Sequence, residues 1–182
     1  MKIYLIDDDR LRHELIPSLL ALLRQLQGGI NWLDGFEGSI KGNEYFDNDL
    51  LTKAVDDPDG LILLDLDLPS VDPNLYKKQI EALKAMFIVT PDMEKKYGEI
   101  NDRFGNEINH QIASILATVA IKKGLKLLLI TAHPSMVGHL KIEGLSYAYM
   151  PDAIESRRDA NLQYLAMAII DLVGRKRPFL PI

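Results

Sequence analysis

The sequence predicts an α/β protein built on a doubly wound, five-stranded parallel sheet, with one extra helix inserted between the third and fourth strands. Three observations carry this reading. The four aliphatic residues Leu61 to Leu64 before Asp65, and the strand-like run from Lys126 to Ile130 in LKLLLI before Thr131, show no polar alternation, as strands covered on both faces must. Strand-like runs alternate with helical periodicity along the whole chain, the order that parallel crossover units require. The 182 residues, 47% hydrophobic and 26% charged, suffice for one such domain with its own core. A single domain is placed at residues 1–174, with 75–123 as its enlarged helical segment and 175–182 as a C-terminal tail.

Lys2 to Ile6 is a β-rich run that ends in Asp7, Asp8 and Asp9. Leu11, Leu15, Leu19, Leu22 and Leu23 then recur at helical spacing and predict a helix from Arg12 to Gln25, with Pro17 inside it. Gly28-Gly29 stops that helix, and Ile30 to Leu33 reads as the second strand. Asp34 to Asp49 reads as a long loop, Leu50 to Val55 as a short helix, and Asp56 to Gly60 as the turn feeding the third strand. Two helical patterns follow, Asn74 to Phe87 and Glu99 to Lys123, joined by the linker VTPDMEKKYG. Ile100, Phe104, Ile108, Ile112, Ile115 and Val119 mark the second, and Gly124 is its C-cap. After the fourth strand come a short helix at Ser135 to Leu140, a fifth strand at Ser146 to Met150, and a last helix at Arg157 to Val173. Its inner face carries Leu162, Leu165, Ala166, Ile169 and Leu172.

The formal charge of −5 argues against a dominant nucleic-acid-binding surface. With no cysteine, the chain has no disulfide, no thiolate zinc site and no catalytic thiol. No apolar window reaches the length of a membrane span, and acids follow the short apolar start directly, so a cytoplasmic protein is expected. His13, His110, His133 and His139 form no dense ligand motif, which speaks against a transition-metal site. Arg175-Lys176-Arg177 is too short a basic run to bind nucleic acid.

Parallel strands deliver their last residues to one edge of the sheet, where ligands of open α/β sheets bind. The first strand ends in Asp7-Asp8, the third in Asp65 and the fourth in Thr131. Three carboxylates and a hydroxyl make a hard-oxygen pocket. Like charges so close raise one another's pKa unless a cation neutralises them, and Mg²⁺ is the natural one. One carboxylate can then attack a phosphoryl donor.

This constellation resembles the receiver domain of two-component response regulators, a flavodoxin-like fold. The acid pair matches Asp7-Asp8 in YLIDDD, and the acceptor aspartate with a proline four residues later matches Asp65 and Pro69 in LLDLDLP. The hydroxyl position matches Thr131 in LLLITAH, and the fifth-strand aromatic and proline match Tyr147 and Pro151 in YAYMP. The resemblance implies Asp65 as phosphoacceptor and Mg²⁺ held by Asp7, Asp8, Asp65 and the backbone carbonyl of Asp67. It also implies Thr131 as the phosphoryl contact, and Thr131 with Tyr147 or Tyr149 as the switch.

Two positions depart from the pattern. The lysine that precedes the proline in this family is Met150 here, with Lys141, Lys126 and Arg10 as candidate replacements. The stretch from Asp65 to Thr131 is also roughly twice the family's usual length. The chain is therefore expected to be an atypical or degenerate stand-alone receiver, with no DNA-binding domain after the last helix. It would act through protein contacts, with a histidine kinase, another signalling protein or a second copy of itself as partner. Any catalysis would be limited to self-phosphorylation at Asp65 from a phosphodonor. If the chemistry is lost, the inserted helices and the surface around the last strand would form a constitutive docking face.

Two other readings stand beside it. DLDLP also resembles the core motif of the haloacid dehalogenase superfamily, which would imply a Mg²⁺-dependent phosphohydrolase with Asp65 as nucleophile and Asp67 as general acid, and with Thr131 and Lys141 in support. Against that reading, Leu68 stands where threonine or valine is usual, Asp152 lacks an acidic partner, and Asp7 to Asp9 have no role. The other reading is a metal-free interaction module. There Asp7 to Asp9 only cap a helix.

Overall fold

The computed structural model describes residues 1–8, 10–26, 35–38, 48–68, 72–131, 142–149 and 158–174. In chain order the elements are β1 (Lys2–Ile6), α1 (Arg10–Leu26), β2 (Gly35–Gly38), α2 (Asn48–Asp56), β3 (Leu61–Asp65), α3 (Pro73–Phe87) and α4 (Pro91–Arg103). A 3₁₀ turn (Ile108–His110), α5 (Gln111–Lys123), β4 (Lys126–Thr131), β5 (Ser146–Tyr149) and α6 (Arg158–Gly174) complete them. No helix among the described residues is long and apolar enough to cross a membrane.

The protein is α/β with a parallel sheet. β1, β3 and β4 form its centre and the short β2 and β5 its edges, in the order β2-β1-β3-β4-β5. Alternate residues of the central strands serve two separate cores, which is why their sequences show no polar alternation. Tyr4, Ile6, Ile62, Leu64, Leu127 and Leu129 pack under α2 to α5. Ile3, Leu5, Leu61, Leu63, Leu128 and Ile130 pack under α1 and α6, against Leu15, Leu19 and Leu23 on one helix and Leu162, Leu165 and Ile169 on the other. Pro17 lies on the exposed side of α1, which continues through it to Leu26.

The segment between β3 and β4 differs from the sequence reading. Three helices fill it, not two, so the insertion exceeds a single extra helix. VTPDMEKKYG is no linker: Thr90 caps α4 by accepting from the Met93 N–H at 3.2 Å, and Pro91 occupies the first turn, where its missing N–H costs nothing. The single helix expected over Glu99 to Lys123 is broken. Gly105 (φ 89°) and Asn106 (φ 57°) turn the chain, and the Asn106 side chain bonds Asn101 and Asp102 of α4. Phe104, fully buried, anchors the elbow. α5 then runs buried from Ile112 to Ala120, and the Ser114 and Thr118 hydroxyls donate to carbonyls four residues back, at 2.9 and 2.7 Å.

The second strand also moves. It is Gly35–Gly38, inside the stretch read as loop, while Ile30 to Leu33 lies outside the described residues. GFEG has little intrinsic strand preference, and its pairing with Lys2 to Leu5 of β1 decides the conformation. The expected helix at Ser135 to Leu140 and the 175–182 tail lie outside the described residues as well.

Candidate functional site

Strand register builds the site. Ile6 of β1 pairs with Leu64 of β3, so Asp7 falls beside Asp65 at the C-terminal edge. Asp65 pairs with Ile130 of β4, so Thr131 stands one residue beyond it. All three are buried, with Asp7 and Thr131 at 2% exposure and Asp65 at 6%. Asp8 is half-buried. Asp7, Asp8 and Asp65 each offer a carboxylate oxygen, and these oxygens lie within 4.8 Å of one another.

A cation is built into this cluster. Arg12, in the first turn of α1 and 6% exposed, places Nη1 at 2.9 Å from both Asp7 Oδ2 and Asp65 Oδ2. One guanidinium nitrogen carries two hydrogens, so it donates to both carboxylates. His13, the next residue, donates from Nε2 to the Asp7 carbonyl at 2.9 Å, tying α1 again to the end of β1. Burial and the neighbouring Asp7 push the Asp65 carboxyl from 3.8 up to about 7. Arg12 pulls it down without cancelling them, and Asp8 adds to the rise.

The segment after Asp65 is held from three sides. Leu66 N–H donates to the Ile130 carbonyl at 3.1 Å, and Leu68 N–H to Asn109 of the α4–α5 connection at 3.1 Å. The Tyr76 hydroxyl of α3 donates to the Leu68 carbonyl at 2.7 Å. Leu66 and Leu68 are thereby buried, with Asp67 half-buried between them. Asp67 Oδ1 is buried with no hydrogen-bond partner among the described residues.

The structure thus brings together Asp7, Asp8 and Asp65, with Thr131 ending β4 and Asp67 two residues past the end of β3. Tyr147 and Tyr149 lie on β5, paired with Leu129 and Thr131. Pro69, Met150, Pro151, Lys141, Asp152, His133 and His139 lie outside the described residues. Lys126 does not replace the missing lysine. It pairs with Leu61 at the opposite end of β3, roughly 13 Å along the strand from Asp65. Arg10 opens α1.

Arg12 is the buried charge at this site that sequence reasoning missed. A signal was present: with Leu15, Ile16, Leu19 and Leu23 it falls on the buried stripe of α1, where a charge needs a partner. Three carboxylates and one guanidinium leave net negative charge on hard oxygen donors, a set that fits Mg²⁺ and offers nothing to a soft metal. Comparison with protein-family models, curated proteins and solved structures finds no match for this chain.

Proposed function

We propose that the protein is a receiver-like signalling domain in which Asp65 accepts a phosphoryl group and output passes through protein contacts. The observation that carries this reading is the convergence of the Asp7, Asp8 and Asp65 carboxylates within 4.8 Å at one sheet edge. Two features support it. The order β2-β1-β3-β4-β5 is the flavodoxin-like one, and its switch point lies between β1 and β3, where Asp7 and Asp65 stand. The cluster also gives the first-strand acids a role, which the haloacid dehalogenase reading does not.

Asp7, Asp8 and Asp65, with the Asp67 backbone carbonyl as the resemblance implies, would hold Mg²⁺. When bound, the ion supplies charge neutralisation for a phosphoryl group and favours ionised Asp65. The Asp65 carboxylate attacks phosphorus. A new P–O bond forms, the bond from phosphorus to the donor breaks, and its electron pair leaves with the donor. A phosphohistidine of a kinase or a small acyl phosphate serves as donor. Thr131, buried one residue beyond the partner of Asp65, donates its hydroxyl to the transferred group. Burial keeps water from the acyl phosphate.

Incubation with acetyl phosphate and Mg²⁺ is expected to add one phosphoryl group to the intact protein, read by mass spectrometry. Asp65→Asn is expected to abolish the adduct. A wild-type protein that forms no adduct and takes up no beryllofluoride would remove this reading, and failure to bind millimolar Mg²⁺ as well would favour a metal-free interaction module.

A further inference from the structure

Arg12 is the one buried arginine or lysine among the described residues, and its contacts are specific. Its Nη1 bridges the carboxylate proposed to receive the phosphoryl group and the neighbouring acid of β1, at 2.9 Å each. Arg12 also lines, with Leu15, Ile16, Leu63, Ile130 and Leu162, a small apolar cavity between the sheet and α1.

We infer that Arg12 is the phosphoryl-positioning cation of this pocket, delivered from α1. The inference rests on the proposed phosphoacceptor role of Asp65. Before transfer, the guanidinium holds Asp65 Oδ2 against Asp7 and so orients the attacking carboxylate. Conversion of that carboxylate to an acyl phosphate replaces one negative charge with about two. The Arg12 donor that faced Asp65 Oδ2 then faces phosphoryl oxygens on the same residue, while Asp7 remains its second acceptor. The exchange needs no new side chain in the site. Arginine suits this role because it stays charged at any relevant pH and its planar donors match phosphoryl oxygens.

Removing the cation should move two affinities in opposite directions, which loss of a purely structural residue does not do. The metal pocket becomes more negative, and the bound phosphoryl mimic loses a charge-assisted hydrogen bond. The test is calorimetric titration of the full chain with Mg²⁺, then with beryllofluoride at saturating Mg²⁺. Arg12→Met is expected to tighten Mg²⁺ binding about tenfold through the lost repulsion and to weaken beryllofluoride roughly thirtyfold. Arg12→Lys, which keeps the charge, should stay within about fivefold of wild type for both. In the wild type, beryllofluoride should also shift the Arg12 side-chain N–H resonances.

If Arg12→Met fails to fold, Asp7→Asn is compared with Asp7→Asn/Arg12→Met, which has the same pocket charge as the wild type. The double variant should bind beryllofluoride more weakly than Asp7→Asn. Beryllofluoride binding that is equal in wild type and Arg12→Met, or measurable and equal in that second pair, or wild-type Arg12 side-chain N–H resonances that beryllofluoride leaves unmoved, overturns the role of Arg12 and leaves Asp65 as acceptor. A wild-type protein that binds no beryllofluoride overturns the acceptor reading itself.

Discussion

Arg12 Nη1 stands 2.9 Å from Asp65 Oδ2, joining the first turn of α1 to the last residue of β3. The pair lies at the point where the sheet order reverses, and Asp7 completes it at 2.9 Å from the same nitrogen. Both partners are buried, so the energetics of the site are those of charges removed from water. Breaking such a pair from one side costs more than the pair contributes, because the remaining charge is stranded.

Arg12→Met therefore lowers stability, by about 3 kcal/mol in metal-free buffer at pH 8. Urea unfolding measures it. A change under about 0.5 kcal/mol would mean that the carboxylates are solvated and the pocket is not closed.

The pH dependence has a definite sign. Asp65 titrates near 3.8 ordinarily and at about 7 in the folded protein. The folded state thus keeps a proton that the unfolded chain releases between those values. This contribution is complete below about pH 4 and is lost as pH rises to about 7. Asp65→Asn lacks the titration, so it should gain on wild type across that window, by on the order of 4 kcal/mol. Unfolding curves at pH 4, 6 and 8 without metal check this. A wild type that gains on the variant with rising pH contradicts the assignment.

Divalent binding to the folded state alone raises stability by about 1.4 kcal/mol at ten times the dissociation constant. Mg²⁺ should therefore raise the melting temperature of wild type, and Asp8→Asn should remove most of that rise. Chelation should reverse it. Equal shifts in both proteins would place the ion elsewhere.

The segment carrying Asp67 depends on a distant tyrosine. Tyr76→Phe leaves the buried Leu68 carbonyl without the hydroxyl that donates to it at 2.7 Å. A stability loss of about 1 kcal/mol is expected, with weaker Mg²⁺ binding as the segment loosens. Stability loss with unchanged Mg²⁺ affinity would uncouple α3 from the site.

At the α4–α5 elbow, Gly105 has φ 89°, and a Cβ built there meets nothing within 4 Å. Gly105→Ala thus tests backbone conformation alone, with an expected cost of about 1–2 kcal/mol. Thermal unfolding reads it. No loss would mean that the elbow adopts another turn.

Much of this architecture is legible in the sequence because it follows from burial. LILLD and KLLLIT lack alternation since both faces of β3 and β4 are covered, and their last residues must reach one edge. That rule alone groups Asp7, Asp8, Asp65 and Thr131. The α4–α5 break is hidden because Ile100, Phe104, Ile108 and Ile112 pack into one cluster from both sides of the turn. Their spacing imitates an unbroken helix, while the breaker at Gly105-Asn106 sits on the exposed side. β2 is misplaced by pattern because GFEG is held by one neighbour rather than by its own propensity.

By itself, then, the sequence determined the fold class, the strands of the sheet's centre and the acids at their ends, since those follow from local pattern and hydrophobic period. Only the tertiary structure decided which cation faces them. Arg12 meets Asp65 because α1 folds back across the β1–β3 edge with its apolar stripe on the sheet. No local rule relates a helix residue to a strand end whose place in the sheet is set by long-range pairing.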